Sequence, residues 1–181
     1  MHFIHDLEES MSVSQSLNEP TSNLGFKRPT YLGYLAILRI LVGYHFLTVA
    51  WMKVNSAFPQ GKILVDDFAK TLAKDPLALH RIFMLNVVTP HPAFFGHLVA
   101  YGELAIGLSF IFGCLVRVSA SFAAFHNLNI LLAIAWANGG PQLALNRLYI
   151  FMEIVFVLAS AGLALGVDGF LKRKFPNSWL F

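Results

Sequence analysis

Four apolar runs, residues 31–52, 93–113, 116–137 and 145–165, decide what this chain can fold into. Each is close to the roughly 20 residues that a helix needs to cross a hydrocarbon layer of about 30 Å. None shows the alternation of an outer-membrane strand, and a helix satisfies its own backbone amides where no water can. The composition agrees: of 181 residues, 56% are hydrophobic and 13% are charged, where a soluble domain carries about 25% charged residues. The expected fold is therefore all-α, an integral membrane four-helix bundle with short amphipathic interfacial helices between spans one and two.

Three parts follow: a flexible polar N-terminal tail over 1–30, a transmembrane domain over 31–171, and a basic then aromatic tail over 172–181. The first tail carries Asp6, Glu8, Glu9 and Glu19 and then a Ser- and Asn-rich stretch. It lacks the basic start, apolar centre and cleavage site of a signal peptide, so it is expected to be retained, with the first span as the insertion signal. Residues 3–11 can form a short helix with Phe3, Leu7 and Met11 on one face. Thr30, after Pro29, reads as the N-cap of the first span.

In KILVDDFAKTLAKD, between spans one and two, Leu64, Phe68 and Leu72 recur every four residues while Lys62, Asp66, Lys70 and Lys74 line another face. That spacing predicts an amphipathic helix. Asp75 and Pro76 then read as the cap and first turn of a second short helix to about Phe83, and His91 with Pro92 as the start of span two. Two readings stay open for this segment: an interfacial cap over the bundle, or a lid or docking surface over a lipid-soluble ligand.

Basic residues divide evenly between the two membrane faces. Lys27, Arg28, Arg117, Lys172, Arg173 and Lys174 share a side with both termini; Lys53, Lys62, Lys70, Lys74, Arg81 and Arg147 lie opposite. The second set is diluted by Asp66, Asp67 and Asp75, whereas the first abuts the span ends. Both termini are accordingly expected in the cytoplasm, for a multi-pass protein of the cell inner membrane. Lys172, Arg173 and Lys174 read as an anchor to anionic lipids, with no nucleic-acid partner expected.

Against this apolar background the polar residues stand out. Glu103 interrupts LVAYGELAIGLSFIFG, and an unpaired carboxylate in a span is expensive. Arg39, Glu153, His45, His126, Asn127 and Asn129 are further polar groups on the other three spans. Burying them economically requires convergence on one internal cluster. In one reading Arg39 forms a salt bridge with Glu103 or Glu153 that fixes helix register. In the other the cluster takes a quinone headgroup, a small anion or a transferred proton. Glu103 or Glu153 then exchanges a proton, Arg39 stabilises an oxyanion, and His126 or His45 is a second transfer group. Tyr44, Phe46, Trp51 and Trp136 would line the ring pocket or serve as interfacial anchors. Small residues at four-residue spacing, Gly162 with Gly166, Ala120 with Ala124 and Ala133 with Ala137, are expected to let helices approach closely.

The ligand inventory narrows the redox chemistry. Cys114 is the single cysteine, which excludes an internal disulfide, a Cys-x-x-Cys pair and an iron–sulfur cluster held by this chain alone. The histidines lack zinc spacing, and no metal site is expected. His45 and His126 are deep enough for quinone contact or axial haem ligation, with Met52 or His97 as alternates, and haem ranks below quinone. No glycine-rich phosphate loop follows a strand, so flavin and nucleotide sites lack support.

LAILRILVGYHFLTVAWMK with Arg39, Gly43 and Lys53, then YGELAIGLSFIFGCLVRVSA with Glu103, Gly107, Gly113 and Arg117, occur in order. AWANGG with Asn138, Gly139 and Gly140, and SAGLALGVDGFL with Asp168, complete the series. Together they resemble the DoxX-like family of small four-helix membrane proteins, which includes the small membrane subunit of thiosulfate:quinone oxidoreductase. The resemblance implies an accessory membrane subunit of a respiratory, sulfur-oxidising or photosynthetic redox complex, contributing to a quinone or proton site, with other membrane subunits as partners. Phe3, Leu7 and Met11, the polar stretch 18–24, Trp179 and Phe181 offer contacts to such partners. Two alternatives remain: a quinone-reducing oxidoreductase component with catalytic residues of its own, and a small-molecule transporter acting as a homo-oligomer.

Overall fold

Apolar runs without alternation, once in lipid, leave the backbone only helical solutions, and the computed structural model bears this out. It describes residues 28–181, of which Leu32–Phe181 form one unit, and no strand occurs among the described residues. The N-terminal features expected over 3–11 and 18–24 lie outside the described residues.

Seven helices are labelled here in chain order. Helix α1, Arg28–Val54, and α4, Pro92–Phe112, are followed by α5, Val116–Ile130, and α6, Gly140–Ala159. Helix α5 widens into a π-helical turn over Leu131–Ala135 before ending at Asn138. Two short helices, α2 at Lys62–Thr71 and α3 at Ala78–Phe83, connect α1 to α4, and α3 runs on through a second wide turn at Met84–Val88. Helix α7, Val167–Lys174, closes the chain before the terminal residues.

Four helices are long and apolar enough to span a membrane: Tyr31–Val54, Pro92–Phe112, Val116–Asn138 and Gly140–Ala159. The fourth lies more than one turn N-terminal to the expected 145–165. Pro141 sits in the first turn of α6, where a missing N–H costs nothing. At the other end Ser160 turns left-handed at φ 50°, and the apolar residues after it form a turn. Helix α1 is already helical at Arg28, ahead of Thr30, so Thr30 lies within it and is not its cap. Asp75 does act locally, its Oδ1 accepting from Leu77 N–H at 2.8 Å, but α3 starts only at Ala78 and Pro76 stays outside it.

The bundle is antiparallel, with α5 packed along α6 and α1 against α4. The α1–α4 approach depends on glycine. A Cβ on Gly43 would stand 2.8 Å from Phe110 Cβ, and one on Gly107 would stand 2.9 Å from the Leu47 backbone nitrogen. Gly162 and Gly166, expected to pack helices, instead lie in the turn after α6, where Gly162 faces the Asp168 carboxylate. The core is Val42, Phe46, Ile106, Phe110, Val116, Ala120, Ala123, Phe156 and Ala161. A second cluster, Leu64, Phe68, Leu72, Met84, Val88 and Ala133, fixes the α2–α3 cap to the wide turn of α5. His80 reinforces it, its Nδ1 at 2.5 Å from Asp75 Oδ2 and its Nε2 at 3.0 Å from Asn129 Oδ1. The outside of the spans exposes Leu41, Tyr44, Trp51, Phe94, Phe122, Phe125, Phe151 and Leu158, the reverse of a soluble protein's surface and what a lipid solvent requires.

Candidate functional site

Helices α1 and α6 leave a cavity of about 400 Å³ between them, within the roughly 300–1,000 Å³ that small-molecule sites occupy. From α1 come His45, Phe46, Val49 and Lys53; from α6 come Gln142, Leu145, Asn146 and Tyr149; Glu103 of α4 and Asn127 and Ile130 of α5 complete the wall. The α1 and α6 residues recur at three- and four-residue spacing, so each helix presents one mixed face. The His45 ring stacks on Tyr149 with centroids 5.0 Å apart and planes 16° apart.

Glu103 is the electrostatic centre. Its Oε1 accepts from Lys53 Nζ at 2.5 Å and from His126 Nε2 at 2.7 Å. Its Oε2 is buried and has no hydrogen-bond partner among the described residues. Helix α1 ends one residue after Lys53, and the ammonium also lies over the Phe58 ring of the following loop, 5.0 Å from its centroid. Charge is thereby neutralised at the cavity wall, while one carboxylate oxygen has no donor among the described residues.

A second carboxyl lies beside the first site. Glu153, fully buried on α6, accepts from Asn127 Nδ2 at 2.6 Å through Oε1, and its Oε2 has no partner among the described residues. Asn127 also lines the cavity, so it links Glu153 to the same space.

Arg39 is elsewhere. Its Nη1 donates to Ala161 O at 2.9 Å and its Nη2 to Leu165 O at 3.0 Å, so it fastens the turn after α6 to α1. Asp168 holds the adjoining turn: Oδ1 accepts from Leu115 N–H at 2.6 Å and Oδ2 from Val116 N–H at 2.9 Å, at the start of α5. Cys114 sits in this turn, where burial first and the Asp168 charge second raise its thiol above the ordinary value.

The expected single cluster is thus two. His45, Glu103 and Asn127 line one cavity, His126 joins through Glu103 and Glu153 through Asn127. The expected bridge from Arg39 to Glu103 or Glu153 does not form, because α1 carries Arg39 and Lys53 fourteen residues apart, roughly 20 Å along the axis. Lys53 takes the place assigned to Arg39. Of the four aromatics expected around a ring, only Phe46 reaches the cavity; Tyr44, Trp51 and Trp136 are exposed on the outside. Met52 is also exposed, and His97 stacks on exposed Tyr101 with its Nδ1 at 2.8 Å from Ala93 O. Asn129 serves the cap through His80. Sequence reasoning missed Gln142, Asn146 and Tyr149, although with Glu153 they form a polar stripe on one helical face.

A family profile described as "TQO small subunit DoxD" matches residues 34–181, which takes in all but the first three residues of span one, the other three spans, the α2–α3 cap and α7. No curated protein and no solved structure matches the chain. The order of Arg39, Glu103, Gly113 and Asp168, now seen as one locked turn and one charged cavity wall, falls within that match, and the chain belongs to the DoxD family.

Proposed function

We propose that this protein is an accessory membrane subunit of a redox-linked respiratory complex, and that the α1–α6 cavity serves a quinone headgroup or its protons. The observation that carries the reading is Glu103, a carboxylate inside the spans that is charge-matched on one oxygen and, among the described residues, unpartnered on the other, at the wall of a ligand-sized cavity. The family description names a small subunit, which supports a partner chain and an accessory role.

The residues present fit a flat ring bearing carbonyl oxygens. Phe46 and the His45–Tyr149 stack supply ring surface, and Lys53, Gln142 and Asn146 supply donors. When bound, a quinone supplies two-electron, two-proton acceptor chemistry. The chain's own part is to place the Lys53 ammonium near developing negative charge and to hold an exchangeable proton between Glu103 and His126. Asn127 extends that polar line to Glu153. In this reading both termini face the cytoplasm of an inner-membrane protein, which puts the cavity nearer the opposite face.

Purification from native membranes in mild detergent, with mass spectrometry of every co-purifying protein and quinone extraction from the same sample, tests this. A stoichiometric redox subunit and bound quinone are expected. Glu103→Gln is expected to leave the partner bound and to lower quinone-linked electron transfer by at least tenfold. A homo-oligomer with neither partner nor quinone overturns the reading.

A further inference from the structure

Helices α2 and α3 flank a second hollow, which shares no lining residue with the charged cavity and has a different chemistry. It measures about 560 Å³, and its walls include Val65, Phe68 and Ala69 of α2, Leu72 of the tight turn after α2, and Arg81 and Leu85 from α3 and the segment after it. Among the described residues, Arg81 is the only charged one that lines it. Arg81 is half-buried as a residue, and its side chain makes no ion pair or hydrogen bond among the described residues. A cation in that state, beside a trough of methyl and methylene groups, matches an amphipath with an anionic head and an alkyl chain.

Its surroundings place that amphipath in the membrane. The apolar stretch Ala78–Val88 exposes Leu79, Ile82, Phe83 and Leu85, at 75%, 53%, 41% and 52% exposure, which in water would be a severe penalty. The cap is seated through Ala133, five residues before the end of the third span at Asn138, so it lies within about two helical turns of that end. This is the depth where acyl chains meet headgroups. Asp66 and Asp67 of α2 are not among the lining residues, so no carboxylate of the trough opposes an anion there.

We infer that the α2–α3 trough holds an anionic phospholipid, one acyl chain against Phe68, Ala69 and Leu72 and its phosphate on Arg81. Such a lipid would tie the cap to the bilayer at a defined point, unlike the diffuse attraction of Lys172, Arg173 and Lys174.

The test uses the full chain purified in mild detergent, titrated with phosphatidylglycerol or with phosphatidylcholine of the same acyl chains and followed by native mass spectrometry. Preferential retention of phosphatidylglycerol is expected. Arg81→Gln should weaken it by roughly fivefold, the factor one basic residue contributes at an anionic lipid surface. Arg81→Lys should restore most of it. Ala69 is exposed on α2, so Ala69→Phe fills the trough without disturbing the core and should reduce retention of both lipids. Equal retention of the two lipids by the unaltered protein overturns the inference. So does unchanged binding in Arg81→Gln, or loss of binding only when Lys172 and Lys174 are replaced by Gln.

Discussion

At the scale of single residues, the buried charge at Glu103 is tolerable because two donors from two other helices share one oxygen. Removing one partner of a buried ion pair strands the other charge, and that costs more than the pair itself contributes. Lys53→Met is therefore expected to destabilise the protein by about 3 kcal/mol, read as a lower midpoint of thermal unfolding in detergent. Replacing both members, Lys53→Met with Glu103→Gln, should recover most of the loss. If the double variant is as unstable as the single one, Lys53 contributes through packing on Phe58 and not through Glu103.

At the scale of elements, the fold rests on remote groups that finish helix ends. The first residues of α5 follow Leu115, a non-glycine residue at φ 54°, and no nearby side chain caps the helix. Asp168, 53 residues after Leu115, supplies both acceptors. It holds a left-handed leucine in place while satisfying two backbone N–H groups that water would otherwise have to reach. Asp168→Ala is expected to cost about 2 to 3 kcal/mol, a capping loss with a buried unsatisfied amide added. Hydrogen exchange should show it locally, as faster exchange at Leu115 and Val116 with little change in α4. Uniform loosening of the whole bundle would refute this local role.

At the scale of the whole molecule, the outward faces of the spans are lipid-facing, and the C-terminal segment reaches back onto the bundle. Arg117 Nη1 donates to Trp179 O at 2.7 Å and Lys172 Nζ to Ser178 O at 2.7 Å, and Trp179 is 73% exposed as a residue. An anchored backbone carrying a presented aromatic suits an interface with another subunit. Truncation after Phe175 is expected to lower the partner-to-subunit ratio several-fold by quantitative mass spectrometry while leaving the unfolding temperature nearly unchanged. An unchanged ratio would move the partner contact to the spans.

The sequence by itself determined the four spans, because hydropathy and length are local properties and lipid permits little else. The amphipathic α2 was legible in the same way, from Leu64, Phe68 and Leu72. The end of the fourth span was not: residues 160–165 are apolar enough for a helix, but Arg39, distant in sequence, claims the carbonyls of Ala161 and Leu165. Tertiary structure alone decided which polar residues meet. Charge type made Arg39 the natural partner of Glu103, whereas helix rotation and the antiparallel register gave that place to Lys53 and brought Tyr149 onto His45. Pairing between spans depends on how faces turn toward one another, and a list of residues on each helix does not fix that angle.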